Sequence, residues 1–243
     1  MLSAYDSNNG AVLAREAHRD DGPYHCPQCE EELILKQGRV TIAHFAHFPR
    51  SDCTYASEPE SAEHLSAKLE VYEALKAQPG VSKLEVERSL KEVRPDISFC
   101  FENRSIAIEV QISPLRFDEL LRRTTIYAQK NIYVLWTPIL PMDVFSGRYA
   151  PKEWERAIHE LYEGVVYYWL SGLNVVPIEF EEYLLSPNWY SSSSQERPSK
   201  RFITPSLDAA TSLLNLSPLN QPRCSPYPPA RLWGQPFEDS ESE

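Results

Sequence analysis

Apolar positions change period along the chain, and the changes divide it into elements. Between residues 94 and 113, Ile97, Phe99 and Phe101 fall on odd positions, while Ile106, Ile108, Val110 and Ile112 fall on even ones. Period two over such lengths predicts two strands. The Glu102-Asn103-Arg104 segment between them predicts a hairpin turn, with Asn103 tolerating a left-handed backbone. Upstream, Leu65, Leu69, Tyr72 and Leu75 recur at helical spacing. Ser57 or Ser61 can cap that helix, its acidic first turn suits the helix dipole, and Pro79-Gly80 ends it. Leu84 and Val86 begin a short strand. The stretch SPLRFDELLRRTTIYAQKN predicts a second helix, and IYVLWTP a strand stopped by Pro138. The order helix, three strands, helix, strand predicts an α/β fold with a mixed sheet.

The flanks read differently. Asn9-Gly10 signals a hairpin near the N-terminus, and Leu33-Ile34-Leu35, Gly38, Val40 and Ile42 predict more short strands, so residues 1–58 form a small β-rich module. Residues 59–140 form the α/β core. Residues 141–185 add a helix, an aromatic strand, a turn at Ser171-Gly172 and a further strand. From Ser186 onward serine and proline dominate, and residues 186–243 are expected to be a disordered linker and tail.

A chain of 243 residues suffices for one main core with a smaller module. Without an apolar stretch near the ~20 residues of a membrane span, and without a basic head before an apolar run, a cytoplasmic protein with no membrane partner is expected. The net charge of -11 disfavours indiscriminate nucleic-acid binding, so any such contact must be a local basic patch or depend on bound cations.

Two groups of residues carry candidate chemistry. Cys26-Pro27-Gln28-Cys29 is followed by His44, His47 and Cys53. A Cys-x-x-Cys turn offers two thiolates, and one histidine with Cys53 would complete a tetrahedral zinc site that staples a module with a small core. Five donors compete for four places; His47 is favoured, with His44 as the alternative. Cys100 and Cys224 fit no cluster. The second group lies on the central hairpin. Asp96 is on the polar side of its strand, and Glu109 and Gln111 share one face of the next. Paired across the hairpin, two acids in a partly buried sheet repel unless a cation sits between them, and Mg²⁺ or Mn²⁺ suits oxygen donors.

Arg94-Pro95-Asp96 on one strand and Glu109-Val110-Gln111 on the next resemble the PD-(D/E)XK nuclease signature. More of the chain is similar to competence protein CoiA-like proteins: the cysteine segment YHCPQC with LILKQG and AHFAH, the helix ESAEHLSAK, then RPD, EVQIS, RRTTIYAQKNIYVLW and WERAIHELYEGVVYYW. The resemblance runs from about Ala4 to Tyr183 and leaves out the tail. It implies a PD-(D/E)XK-like core in which Asp96 and Glu109 ligate magnesium or manganese, and an acid of the first helix, Glu60 or Glu63, completes the site. Gln111 stands where most of that superfamily has lysine, so it brings hydrogen bonds and no charge. Lys68, on one helix face with His64 and Glu60, could supply the missing cation. Arg94, His64, Arg123 and Tyr127, with Arg122, are candidate contacts to nucleic acid.

The resemblance implies a metal-dependent DNA nuclease or DNA-processing protein of the competence and recombination type, with DNA and recombination proteins as partners. The alternative is an inactive nuclease fold that binds DNA or a recombination partner.

Overall fold

The computed structural model describes residues 1–49, 51–53, 60–185, 196–219 and 230–234. The chain divides into two interleaved units: Met1–Val110 with Ile126–Val134, and Gln111–Thr125 with Leu135–Glu243.

In the first unit, β1 (Ser3–Tyr5), β2 (Ala11–Leu13), β3 (Tyr24–His25), β4 (Glu32–Lys36) and β5 (His44–His47) form an antiparallel sheet in the order β2-β1-β3-β4-β5. Asp6 fixes the first turn by accepting the Asn8 and Gly10 N–H groups at 2.8 Å, with Asn9 left-handed at φ 60°. Leu33 and Leu35 alternate inward and pack with Tyr24, Phe45, Cys26 and Cys53, a core too small to be well stabilised by apolar burial alone.

Helix α1 (Ala62–Lys76) starts where Ser61 accepts the His64 N–H at 3.1 Å. Its buried residues are Leu65, Ala67, Lys68, Val71 and Leu75, so a lysine lies inside the apolar stripe, while Leu69 and Tyr72 are only partly covered. Strands β6 (Ser82–Val86), β7 (Ile97–Phe101) and β8 (Arg104–Gln111) follow in antiparallel order. The β7–β8 turn consists of Glu102 and Asn103, at φ 47° and 61°, the positive pair that a two-residue hairpin needs. Helix α2 (Phe117–Gln129) and β9 (Ile132–Pro138) complete the helix, three strands, helix, strand order.

In the second unit, α3 (Glu153–Leu161) precedes β10 (Val165–Ser171), β11 (Asn174–Leu185) and β12 (Arg197–Leu207), an antiparallel set in that order. The buried Glu155 carboxylate accepts bonds from the Tyr149 hydroxyl at 2.8 Å, the Tyr168 hydroxyl at 3.1 Å and the Lys152 N–H at 2.7 Å.

Two sequence expectations are corrected here. The region after Ser186 is not all linker: β12 pairs with β11 over seven positions, and Leu232 and Trp233 are buried, the Trp233 indole donating to the Leu213 carbonyl at 2.8 Å. Pro198 and Pro205 disguised β12, but β12 lies at the end of the three-strand order, where missing N–H donors are tolerated. Cys224 lies outside the described residues. The β-rich module is also not set apart from the core at residue 58, because the Leu2 and Ser3 N–H groups donate to the Glu87 carboxylate at 2.9 and 3.2 Å. Among the described residues no helix is long and apolar enough to cross a membrane.

His159 on α3 stacks on Phe180, centroids 4.5 Å apart, and burial, with Arg156 adding to it, holds its pKa below the usual histidine value. Protonation therefore opposes folding. Its contribution is intact above about pH 6.5 and declines as pH falls from there towards the lowered folded value. The imidazole is partly exposed, so the effect is about 1 kcal/mol or less. Urea melts from pH 8 to pH 5 should show a shallower loss of stability for His159→Phe than for the parent chain.

Candidate functional site

Two clusters of donors stand out among the described residues. In the first, one ligand atom each from Cys26, Cys29, His47 and Cys53 lies within 4.8 Å of every other. The Cys26–Cys29 turn joins β3 to β4. The Gln28 N–H points at the Cys26 sulfur at 3.4 Å, and the Glu30 N–H donates to the Cys26 carbonyl at 3.0 Å, with Glu30 left-handed at φ 62°. His47 enters from β5, its Nε2 3.5 Å from the Cys29 sulfur. His44 is not part of this cluster: it sits opposite Lys36 on the outward side of the hairpin, its Nδ1 2.9 Å from the Ile42 carbonyl. Burial, with Cys53 and Cys26 adding to it, pushes the Cys29 thiol up to about 12. Three sulfurs this close resist becoming thiolates unless a cation joins them. The donor set of three thiols and one imidazole therefore fits a soft or borderline metal ion.

The second cluster is built around α1 and the ends of β6 and β7. Glu60, His64 and Asp96 each offer a ligand atom within 4.8 Å of the others. His64 bridges the two acids, Nδ1 to Glu60 at 3.5 Å and Nε2 to Asp96 at 3.2 Å. Burial alone would lower its pKa, but the Asp96 carboxylate, with Glu60, outweighs that and raises it. One helical turn on, Lys68 has no solvent exposure. Its ammonium pairs with Glu60, with Glu87 at 2.5 Å and with Asp96 at 3.5 Å. Burial opposes the ammonium, yet the Glu87, Glu60 and Asp96 charges hold its pKa above the ordinary lysine value. Reciprocally, Glu60 and Glu87 would be raised by burial but are held below the carboxylate range, chiefly by Lys68. Asp96 also accepts the Val110 N–H at 2.9 Å, and its carbonyl accepts the Glu87 N–H at 3.0 Å.

Measured against the sequence, the carboxylate site is rearranged. Asp96 is central, and Glu60 rather than Glu63 is the helix acid; Glu63 is exposed because the first turn aims it at solvent. Glu109 stands outside the cluster of Glu60, His64 and Asp96. It is buried and accepts a bond from the Tyr127 hydroxyl. Tyr127 is itself fully buried, which removes it as a contact to nucleic acid. In the second unit, the Gln111 amide donates to the Ser113 carbonyl, Arg122 pairs with Glu119, and Arg123 lies 5.2 Å over the Trp136 ring. Arg94 is half-buried in the first unit, where its charge opposes the protonated forms of Lys68 and His47.

The residue that sequence reasoning missed is Glu87. It caps β6 with φ 53°, an unusual conformation for a side chain that must point into the interior. Its only sequence signal is that an acid closes an apolar strand, and its position across from Asp96 depends on the Val86–Ile97 register. That register follows a bulge between Ser82 and Glu85, where Lys83 has φ 50°.

The sequence model of the competence protein CoiA nuclease-like domain matches residues 60–147, and that of the competence protein CoiA N-terminal domain matches residues 11–56. Together they span more than half of the chain. The competence protein CoiA of Bacillus subtilis (strain 168) is 34% identical over 113 residues, which make up 46% of this chain and 30% of the relative. No solved structure matches the chain.

Removing the Lys68 ammonium would leave the buried Glu87 carboxylate with its backbone donors but without the cation that pairs with it. Lys68→Met should destabilise the fold by about 3–5 kcal/mol. Adding Glu87→Gln should recover a substantial part of that loss. Chemical denaturation of the two single variants and the double variant measures both terms.

Proposed function

We propose, on the premise that this chain belongs to the competence protein CoiA-like family, that it is a divalent-cation-dependent DNA nuclease or DNA-processing protein acting on phosphodiester bonds. The observation that carries this reading is the meeting of Glu60, His64 and Asp96 on one side of a buried lysine. In this reading the core is of the PD-(D/E)XK kind, and the helix–three strands–helix–strand order and the nuclease-like domain match support it.

Glu60, His64 and Asp96 would hold magnesium or manganese, which polarises a phosphate and lowers the pKa of a bound water. The chain's own groups do the rest. The Val110 N–H fixes the Asp96 carboxylate, and Ser61 and the helix axis fix His64. Lys68 brings a fixed positive charge beside Asp96, the role that lysine plays on the strand in most of the superfamily and that Gln111 lacks. Competence or recombination proteins are the partners this family membership points to. At the other cluster, Cys26, Cys29, His47 and Cys53 would hold a structural zinc ion, consistent with three sulfurs whose ionisation needs a cation.

A specific observation favours a second reading, an inactive module that binds DNA or a recombination partner. Lys68 already sits among Glu60, Glu87 and Asp96 and neutralises part of the charge that would attract a divalent ion.

Incubating the purified chain with labelled single- and double-stranded DNA and Mg²⁺ or Mn²⁺ distinguishes them. The nuclease reading expects cleavage that Asp96→Ala and Glu60→Gln each lower by on the order of 10²-fold. Binding without cleavage, unchanged in both variants, would falsify it and leave the binding module. The zinc assignment expects one zinc per chain by elemental analysis. Cys53→Ser should lose most of that zinc and melt at lower temperature, because metal binding stabilises a module with so small a core.

A further inference from the structure

The β4–β5 hairpin carries a feature that neither cluster uses. Beside its tip lies an open groove of about 430 Å³ lined in part by Arg19, Ile34, Lys36, Arg39, Thr41 and His44. No acidic side chain lines it, although the whole chain has a net charge of -11. Arg19, Lys36 and Arg39 are all exposed, and none of them forms an ion pair among the described residues. Several other cations of the first unit are engaged, Arg15 with Glu73, Lys68 with three acids and Lys130 with Glu92.

The placement follows from the strand pattern. Leu33 and Leu35 point into the module core, so Ile34 and Lys36 must point out, and the register sets Lys36 opposite His44 on β5. His44 is thus on the outer face, and His47 is three residues further, at the thiol cluster. The start of the hairpin loop is tied down, because the Gln37 amide donates to the Ala17 carbonyl at 2.9 Å. Arg19 follows in the adjoining short helical turn, Arg19–Asp21. At the tip Val40 is 97% exposed, an apolar side chain between Arg39 and Thr41 with no core to join.

We infer that this hairpin face binds the phosphodiester backbone of DNA, with Arg19, Lys36 and Arg39 each placed to neutralise a phosphate. The choice of DNA among polyanions rests on the function proposed above; the cationic groove itself does not. Charge complementarity is the warrant: three unpaired cations on a fixed hairpin would release counterions on contact with a polyanion. This surface replaces Tyr127 and Arg123, which the fold commits to Glu109 and Trp136.

The test is fluorescence anisotropy of the full chain, metal-loaded, with labelled duplex and single-stranded DNA of one sequence over a range of salt. Each phosphate contact contributes about 0.9 to the slope of log affinity against log salt on a duplex, and about 0.7 on a single strand. The triple variant Arg19→Gln, Lys36→Gln, Arg39→Gln should flatten the slope by about 2 to 3 and weaken binding by at least about 10-fold near 0.1 M salt. Charge-keeping Lys36→Arg with Arg39→Lys should restore both. If the triple variant loses zinc, the single Arg39→Gln change at the exposed tip still predicts a slope change of about 0.7 to 0.9. An unchanged slope and affinity overturn the inference. So does polyglutamate that binds as tightly and is lost equally in the variant, since that result assigns the face to an acidic protein. Cleavage lost in Asp96→Ala beside unchanged binding in the hairpin variants removes the hairpin and keeps the nuclease. Weakened binding in those variants beside a parent chain that never cleaves keeps the hairpin and removes the nuclease.

Discussion

An ammonium group shut off from water is stable only when opposite charges surround it, and that requirement organises the first unit. Lys68 has no solvent exposure, so Glu60, Glu87 and Asp96 must all reach it. These residues come from the approach to α1, the end of β6 and the approach to β7. Satisfying one lysine therefore fixes the helix against two strands. It also gathers carboxylates where they would otherwise repel each other, with His64 spanning two of them. The left-handed backbone at Glu87 is part of the same arrangement, since it turns the carboxylate inward after the strand has ended.

The unit thus contains two donor sets of opposite character. Sulfur and imidazole meet between β3, β4 and β5, in a core of few apolar residues. Oxygen and imidazole meet at α1. Soft donors favour an ion that stays and holds a small domain together, and hard donors favour one that exchanges and carries water. On the function proposed above, the first set would serve structure and the second chemistry. Arg94 acts electrostatically on Lys68, Glu87 and His47, and so on members of both sets.

Much of this was legible in the chain because it rests on short-range periodicity. The β7–β8 hairpin follows from alternating isoleucines and phenylalanines and from Asn103. The thiol cluster follows from Cys-x-x-Cys spacing, and the choice of His47 over His44 is consistent with strand alternation. What was not legible depends on register or on competition between partners. Glu109 read as a ligand because its spacing to Gln111 places it on a face; nothing in the sequence showed that Tyr127 would take it. Glu60 and Glu63 are three residues apart, and only the position of the Ser61 cap decides which one turns inward. Lys68 read as part of a polar face because lysine is seldom buried. β12 was hidden by its prolines, which mark loops in sequence and sheet edges in structure.

The bonds from Leu2 and Ser3 to Glu87 join positions 85 and 84 residues apart. During synthesis, then, β1 cannot complete its contacts until β6 and Glu87 have emerged as well. Until then its backbone donors and the module's apolar face remain open to other partners. Translation at ordinary rates makes that interval several seconds long. A pause or truncation before Glu87 would release a module able to gather its cysteines but lacking the carboxylate that closes it.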